Sequence, residues 1–548
     1  MPDAPDSGFE LYQEQRPVGL VGRFFMTLGQ LLGLLLGAAH VFVRQQVAQG
    51  RANLPLLVLR VALFFVRPFL DQSIIQQPFP VQFRRRLERL GPTYIKFGQI
   101  LSLREDLLPA SVTDELKNLL DRLPAVSFER YQELIVADLD RPLDTIFRWI
   151  NPRPLGSASL AQTQRAQLHT GEYVAVKVLK PGVRQTIETD TKLLRLFGRL
   201  LQVFLSRYQP KRLIDEFCRY TLREVDLRFE ADHAEVFAAN FKDHPGILFP
   251  TIYREFSSRN VLCMQYFEGI KPGDRAAAML TPQEKDKVIG LGVSAIIQMI
   301  LRDGFFHADL HPGNLIILED ASVGFIDLGM VGRFDREMQK RLFNYFYWLV
   351  NGDPDNAARY LASLALPAKN SDVDGFRRAV SGLYDRWLRS ANFKDFSLGQ
   401  VVLQSVLLAG QYHIQYPGEV ILMIKALVTV EGVGNMLQPG IDIVEISRKD
   451  VQRLMLAQFN PFTIIKASVL ILPELVDIMS RSPLVLSEGL RQFESSLGKP
   501  SRAPSEGLVK TVLVLLCFLV IAALFASGAP WPLWASLVIL ALILALRE

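Results

Sequence analysis

The sequence predicts an α+β protein with several folding units and an apolar helical hairpin at its C-terminal end. The chain has 548 residues, and because a domain averages about 150 residues, more than one folding unit is expected. Short apolar segments typical of strands occur between residues 174 and 326. Residues 336–490 have helical periodicity, with predicted breaks at 351–354, 367–372, Pro417 and Pro439. Two long uncharged runs lie near the C-terminus, which indicates segments that meet lipid.

The composition excludes several classes of protein. Apolar residues make up 49% and charged residues 21%, which excludes a disordered or fibrous chain. The net charge of +5 is too small in a chain of this length to indicate a nucleic-acid partner. Cys218, Cys263 and Cys517 are far apart and form no metal-binding motif. A disulfide scaffold is therefore not expected, and a reducing compartment fits better.

The N-terminal region is apolar without being an export signal. Residues 1–17 carry acidic side chains and lack an apolar core segment, so they do not form a secretory signal. Residues 24–43 are largely apolar, but Gln30 and His40 interrupt them. We interpret residues 20–70 as helices that lie on a membrane or pack on the core, with a true membrane span as the alternative.

The C-terminal region predicts a transmembrane hairpin. The uncharged runs 511–527 and 533–546 are separated by a turn that contains two prolines and Trp531, and Trp534 lies just after it. Basic residues flank the hairpin but are absent from its turn. The positive-inside rule then places both ends and the globular part in the cytoplasm, on a multi-pass protein of the inner (plasma) membrane. The alternative is a hairpin buried in a protein core.

One motif in the middle of the chain indicates phosphoryl transfer. Two short apolar strands are predicted at 315–318 and 323–326, around a turn at 319–322. His307 and Asp309 precede the first strand, Asn314 lies five residues after Asp309, and Asp327-Leu328-Gly329 ends the second strand. The carboxylate of Asp309 would orient or deprotonate the attacking hydroxyl or water. Asn314 and Asp327 would hold Mg²⁺ against the phosphates, because Mg²⁺ prefers hard oxygen ligands.

Two upstream features complete such a site. Lys177 ends the sequence Val-Ala-Val-Lys on an alternating strand and would anchor phosphates. No glycine-rich G-x-G-x-x-G loop precedes it. Small side chains stand there instead, which still let backbone N–H groups approach a nucleotide; an ordinary surface hairpin is the alternative. These candidate nucleotide-binding residues are Leu155, Gly156, Ser157, Ala158 and Ser159.

The motifs together resemble the UbiB family of atypical kinases, also called the ABC1 family, over about residues 91–335. The family's K-x-G-Q motif corresponds to the segment from Lys96 to Gln99. Its E-x-D motif corresponds to Glu224 and Asp226, and Glu230 stands where the family has the glutamate that pairs with the strand lysine. We expect these three acids to lie on one helix.

The resemblance implies a two-lobed protein-kinase-like fold with an N-terminal helical extension, and ATP with Mg²⁺ as cofactors. It implies that Lys177 pairs with Glu230, and that Lys96 reaches from the extension toward Glu224 and Asp226. The hinge that contacts adenine would fall near residues 264–268. The residues with implied catalytic roles are Asp309, Lys177, Glu230, Lys96, Gln99, Glu224 and Asp226.

The family also implies a biological role, which is the biosynthesis of an isoprenoid quinone, either ubiquinone or plastoquinone. Membrane lipid, quinone precursors and quinone-biosynthesis enzymes are the implied partners. The segment after Gly329 is too short for a peptide platform, since a helix pattern begins after Asp335, so a protein substrate is disfavoured. A non-catalytic nucleotide-binding scaffold is the alternative to an enzyme.

These expectations divide the chain into six regions. An N-terminal helical region and the helical extension with the K-x-G-Q motif come first, followed by two lobes, a linker and the anchor. The expected boundaries are 1–90, 91–153, 154–268, 269–497, 498–507 and 508–546, respectively.

Overall fold

The computed structural model describes residues 19–49, 60–61, 71–102, 108–119, 125–204, 210–366, 371–389, 398–441, 446–448 and 450–453. The predicted linker and C-terminal hairpin lie outside these residues. The helices are α1 (Leu20–Ala48), α2 (Gln72–Ile75), α3 (Phe79–Leu90), α4 (Pro92–Leu101), α5 (Ala110–Leu116), α6 (Phe128–Leu139), α7 (Val183–Phe204), α8 (Pro210–Glu224), α9 (Leu227–Asn240), α10 (Arg275–Ala278), α11 (Pro282–Ile297), α12 (Arg336–Val350), α13 (Pro354–Ser363), α14 (Val373–Arg389), α15 (Leu398–Ala409) and α16 (Gly418–Leu437). The strands are β1 (Phe147–Ser157), β2 (Ala161–Leu168), β3 (Tyr173–Leu179), β4 (Ile247–Leu248), β5 (Val261–Gln265), β6 (Phe305–His307), β7 (Leu315–Ile317), β8 (Val323–Phe325) and β9 (Val331–Arg333).

The N-terminal lobe is built on an antiparallel sheet of order β1-β2-β3-β5. Val174, Val176 and Val178 on β3 are buried in the cores of this lobe, as the alternation in the sequence predicted. Lys177 lies between them on the opposite face, paired in register with Thr163 on β2 and with Leu262 on β5. Because β3 is a central strand, the position of Lys177 is fixed by neighbours on both sides.

The C-terminal lobe combines small β-ladders with a helical bundle. The two short strands predicted before Asp327 are confirmed as the antiparallel pair β7 and β8, called here the β7–β8 hairpin, and β8 also pairs in parallel with β4. The predicted helix start at Asp335 is confirmed, because its side chain accepts a hydrogen bond from the Met338 backbone N–H and caps α12. Helices α12 to α16 follow, interrupted near the predicted proline-containing breaks. Their apolar faces form the largest buried core.

The segment that contains the E-x-D motif differs from the expectation of one helix. Helix α8 ends at Glu224, and α9 begins at Leu227. Asp226 has extended backbone angles, φ −134° and ψ 96°, and its side chain accepts a hydrogen bond from the Arg228 backbone N–H. Aspartate stabilises a helix start in this way more than a helix interior, so capping overrides the helical periodicity of the segment.

The N-terminal helix α1 packs on α3 and α7. Arg23 donates to both carboxylate oxygens of Asp190 on α7, at 2.8 and 2.5 Å, and both side chains are buried. Packing on the body of the protein is therefore observed for this helix. Two helices in the described residues, α1 and α16, are long and apolar enough to cross a membrane, although half of the apolar window of α16 is buried within the protein.

The Arg23–Asp190 ion pair generates a stability prediction. Asp190→Ala leaves a buried guanidinium without its carboxylate, so we expect a loss of about 3–5 kcal/mol, measured as a lower melting temperature of the full chain. Glu133→Ala is the control, because it breaks the exposed Arg130–Glu133 pair on α6 and is expected to lower stability by less than about 1 kcal/mol. Equal effects of the two substitutions would contradict the role given to Asp190.

Candidate active site

A three-residue ionic network lies between the two lobes. The Lys177 ammonium contacts the two carboxylate oxygens of Glu230 on α9 at 2.8 and 2.9 Å, and Asp327 Oδ2 at 3.1 Å. Lys177 and Glu230 are largely buried, whereas 45% of the Asp327 side chain is exposed toward the cleft. The lysine therefore joins a sheet, a helix and the segment after β8 at one point.

Burial and charge act against each other in this network. Burial by itself lowers the pKa of Lys177, but the carboxylates of Asp327 and Glu230 raise it above its ordinary value. Burial raises the pKa of Glu230 even though Lys177 opposes the shift. The pKa of Asp327 is lowered, because the Lys177 charge outweighs the effect of burial. Asp327 therefore remains an anionic group at the open side of the cleft.

The β7–β8 hairpin brings Asn314 and Asp327 together. Asn314 immediately precedes β7, and its backbone carbonyl accepts a hydrogen bond from the Ile326 N–H, one residue before Asp327. The Asn314 side-chain N–H donates to the backbone carbonyl of Asp309 at 3.0 Å. The Gly329 N–H donates to Asp327 Oδ1 at 3.2 Å and orients that carboxylate. The hairpin thus holds the Asn314 amide against the Asp309 backbone and places Asp327 one residue after the residue that contacts Asn314.

These oxygen donors fit Mg²⁺ bound together with a nucleotide. Among the described residues no group of three or more His, Cys, Asp or Glu side chains could hold a metal. Mg²⁺ in nucleotide sites needs only one or two protein ligands, because phosphates and water complete its octahedral shell. Asn314 donates through its amide nitrogen, which leaves its oxygen for a cation, and Asp327 is partly exposed. The pair is therefore suited to a nucleotide-bound cation rather than to a permanent metal centre.

The K-x-G-Q helix α4 lies against the same cleft. Lys96 pairs with Glu224 Oε1 at 2.9 Å. The other oxygen of Glu224 is buried and has no hydrogen-bond partner within the part of the chain that the structure describes. Burial raises the pKa of Glu224, Lys96 lowers it, and the charges of Asp327 and Asp309 raise it further. The negative charge of Glu224 is therefore electrostatically disfavoured at the edge of the site.

Gln99 and Gly98 are the other motif residues on α4. Gln99 is half-buried one turn after Lys96, and its catalytic role stays a prediction. A Cβ at Gly98 would lie 2.4 Å from Leu119 Cδ1 and 2.7 Å from Leu87 Cδ1. The motif's glycine therefore permits close packing of α4, which positions the lysine.

Asp226 occupies a different environment from the one expected. It pairs with Arg228 at 2.8 Å and with Arg259 at 3.1 Å, and it caps α9. Lys96 reaches the motif as expected, and its partner there is Glu224. Asp226 instead fixes the start of the helix that carries Glu230. The physical reason is the break at Val225, which gives the two acids different directions.

The candidate nucleotide loop comprises the last three residues of β1 and the first two residues of the turn into β2. Ser157 and Ser159 are buried, whereas Ala158 is exposed and its N–H donates to the Ala161 carbonyl at 2.9 Å. Gly156 has open space where a Cβ would stand. This segment precedes β3, the strand that carries Lys177. Contact of Leu155 to Ser159 with a nucleotide stays a prediction.

Lys425 on α16 is a site residue that sequence reasoning missed. Its ammonium lies 2.8 Å from Asp309 Oδ1. Burial by itself raises the pKa of Asp309, but the charges of Lys425, His311 and Lys96 lower it below its ordinary value. A signal was present in the sequence, because Lys425 is the single charged residue between Glu419 and Glu431 in an otherwise apolar segment. A lysine alone in a buried helix face requires a partner.

The fold and this cleft define a kinase-like protein: an antiparallel sheet carries the lysine, a helix carries its glutamate, and a hairpin carries the two candidate metal ligands. The chain matches the ABC1 atypical kinase-like domain over residues 118–361 and the UbiB helical domain over residues 388–442. The chain belongs to the UbiB/ABC1 family of atypical kinase-like proteins, as its motifs predicted.

Curated relatives cover most of the chain. A "Probable protein kinase UbiB" of Azotobacter vinelandii is 33% identical over 439 residues, which are 78% of this chain and 81% of that protein. A protein of the same name from Marinobacter nauticus is 30% identical over 79% of this chain and 80% of its own length. "Protein ACTIVITY OF BC1 COMPLEX KINASE 7, chloroplastic" of Arabidopsis thaliana is 32% identical over 68% of this chain. That match spans about half, 54%, of the plant protein.

The position of Asp226 generates a prediction about the E-x-D motif. Asn is as good an N-cap as Asp, and the two arginine partners are largely exposed, so Asp226→Asn is expected to lower stability by less than about 1 kcal/mol. Asp226→Ala removes the cap and is expected to lower it by about 1 kcal/mol more. Thermal unfolding of the two variants measures the difference. If Asn is as harmful as Ala, the negative charge rather than the cap is the function of this residue.

Proposed function

We propose that this protein binds ATP with Mg²⁺ and transfers or hydrolyses the γ-phosphate at a membrane surface, in support of isoprenoid quinone biosynthesis. The observation that carries the proposal is the convergence of Lys177, Glu230, Asp327 and Asp309 on one cleft. A strand lysine paired with a helix glutamate, beside an aspartate that can bind Mg²⁺, is the arrangement that positions phosphates in protein kinases. Membership of the UbiB/ABC1 family supports the same activity.

Each side chain has a distinct part in this proposal. Lys177 holds phosphate oxygens, and Glu230 holds Lys177 in place. Asp327 and Asn314 would bind Mg²⁺, which neutralises developing charge on the phosphates when it is bound. Asp309 orients the attacking hydroxyl or water, or accepts its proton. Lys96, paired with Glu224 beside this cleft, belongs to an extension that covers the site.

The segment after Asp327 favours a small acceptor over a protein substrate. Only β9 and a short connection separate Gly329 from α12, which begins at Arg336. Protein kinases use a long segment here as the platform for a peptide. Although relatives bear the name "Probable protein kinase", this connection favours water, a lipid or a small molecule as the phosphoryl acceptor.

The membrane setting of the proposal depends on residues 508–546, which lie outside the described part of the chain. Their two uncharged runs are suited to a helical hairpin that anchors the protein in the inner membrane, with the kinase-like region in the cytoplasm. Such an anchor would bring the cleft close to lipid, to quinone precursors and to the enzymes that modify them.

The catalytic proposal is tested by ATP turnover of the full chain in lipid vesicles with Mg²⁺. Asp309→Asn is expected to lower kcat by about 10²–10⁴-fold while nucleotide binding persists, because only the orienting carboxylate is lost. Asp327→Asn is expected to abolish Mg²⁺-dependent turnover. Asp335→Asn makes the same chemical change at an exposed helix cap that is not among the proposed site residues, and it is expected to leave the rate unchanged.

These variants also separate the enzyme from a nucleotide-binding scaffold. Cells that depend on this gene for quinone would lose quinone with Asp309→Asn if turnover is required. Normal quinone levels with an inactive Asp309→Asn protein would favour the scaffold. Turnover of Asp327→Asn at the parent rate would contradict the metal assignment.

The anchor is tested by deletion of residues 508–548. The parent chain is expected to stay in the membrane pellet after alkaline carbonate extraction, and the deletion variant is expected to appear in the supernatant. Deletion of residues 1–18 is the control and is expected to leave the protein in the pellet. Retention of the 508–548 deletion variant in the pellet would show that another segment anchors the chain.

A further inference from the structure

Asp309 and Lys425 form an ion pair that links the kinase-like cleft to the helical domain. The Lys425 ammonium donates to Asp309 Oδ1 at 2.8 Å, whereas His311 Nε2 lies 3.8 Å from Oδ2. About a quarter of each side chain in the pair is exposed. Lys425 lies within residues 388–442, which match the UbiB helical domain, outside the kinase-like match. A second region of the chain therefore contributes a charged group to the site.

Contacts on both sides of Lys425 fix the position of helix α16. The Tyr220 hydroxyl on α8 donates to Glu419 Oε1 at 3.3 Å near the start of α16. Glu431 Oε2, further along the helix, accepts from the Gly399 backbone N–H at 2.8 Å. Helix α16 also packs on α11 and on β9, the strand that follows Asp327-Leu328-Gly329. Lys425 is therefore carried by a rigid element rather than by a loop, as accurate positioning requires.

The other lysines at the cleft already have carboxylate partners. Lys177 contacts Glu230 and Asp327, and Lys96 contacts Glu224. Lys425 makes the ion pair to Asp309 at hydrogen-bond distance, and it does so through one carboxylate oxygen only. The second oxygen, Asp309 Oδ2, is not held by Lys425 and lies 3.8 Å from His311 Nε2. A partly exposed ion pair contributes about 1 kcal/mol or less to stability, so folding alone gives little reason for a lysine in this apolar helix.

We propose that Lys425 is a positioning residue for Asp309. It holds one carboxylate oxygen so that the other faces the attacking hydroxyl or water, and it thereby makes the helical domain part of the active site. The inference rests on the proposed phosphoryl-transfer function. It predicts an effect on kcat rather than on nucleotide binding, because Lys425 contacts the orienting carboxylate and not the phosphate-binding residues.

The test compares Lys425→Met and Lys425→Arg in the full chain, with Lys340→Met on an exposed face of α12 as the matched control. Lys425→Met is expected to lower kcat about tenfold to a hundredfold, since small errors in geometry have effects of this size. The KM for ATP and the affinity for a non-hydrolysable ATP analogue with Mg²⁺ are expected to change less than about threefold. Lys425→Arg is expected to recover most of the rate, and Lys340→Met is expected to match the parent.

Retained binding of the analogue shows that the variants are folded, so a lower rate reports on positioning. A Lys425→Met rate within twofold of the parent would overturn the inference. A Lys425→Arg rate as low as the Lys425→Met rate would also overturn the inference, because a different cationic side chain at that position would then not restore the rate.

The double variant Lys425→Met/Asp309→Asn separates this inference from the proposed function. If Lys425 acts through Asp309, the double variant is as slow as Asp309→Asn alone. A loss of kcat equal to the product of the two single-variant losses would overturn the inference. An inactive Asp309→Asn protein beside a fully active Lys425→Met protein overturns the inference alone. An Asp309→Asn protein that turns over ATP as fast as the parent overturns the proposed function together with it.

Discussion

Four carboxylates face one cleft in the described part of the chain, and each is in contact with a lysine. Anions held this close in a poorly hydrated site repel one another, and burial disfavours their charged forms. Opposite charge from elsewhere in the chain must therefore be present for the cleft to form. The pairs are Glu224 with Lys96, Glu230 and Asp327 with Lys177, and Asp309 with Lys425.

This requirement ties distant parts of the chain together. The partners of the Lys177–Asp327 and Lys425–Asp309 pairs are 150 and 116 residues apart in sequence. The cleft is consequently complete only when the extension, the sheet of the N-terminal lobe, the β7–β8 hairpin and α16 occupy their positions together. Its remaining negative charge lies at the carboxylates Asp327 and Asp309, beside the neutral Asn314 amide, where a cation bound to phosphates would fit.

Much of this arrangement could be predicted from local sequence signals. The alternation around Lys177 and the two apolar segments around residues 319–322 predicted strands, because period-two patterns and turn residues act locally. Helix breaks at prolines and the cap at Asp335 have equally local causes. The resemblance to a family supplied the pairing of Lys177 with Glu230 and placed Lys96 near Glu224.

Two features could not be obtained in this way. Asp226 was placed on a helix by periodicity, but its side chain caps the next helix, and a cap competes with helix continuation at the level of single hydrogen bonds. Lys425 was missed because its partner is set by the packing of α16 on the C-terminal lobe, which no spacing in the sequence encodes. Its isolation in an apolar segment signalled a buried partner without identifying Asp309.

Hydrogen–deuterium exchange of the full chain, with and without a Mg²⁺-bound non-hydrolysable ATP analogue, tests most directly whether these segments form one nucleotide cleft. The account predicts slower exchange of backbone amides at the β1–β2 turn, in residues 309–329 and in the α16 segment around Lys425. Unchanged exchange in all three segments, under conditions where the analogue is bound, would contradict it.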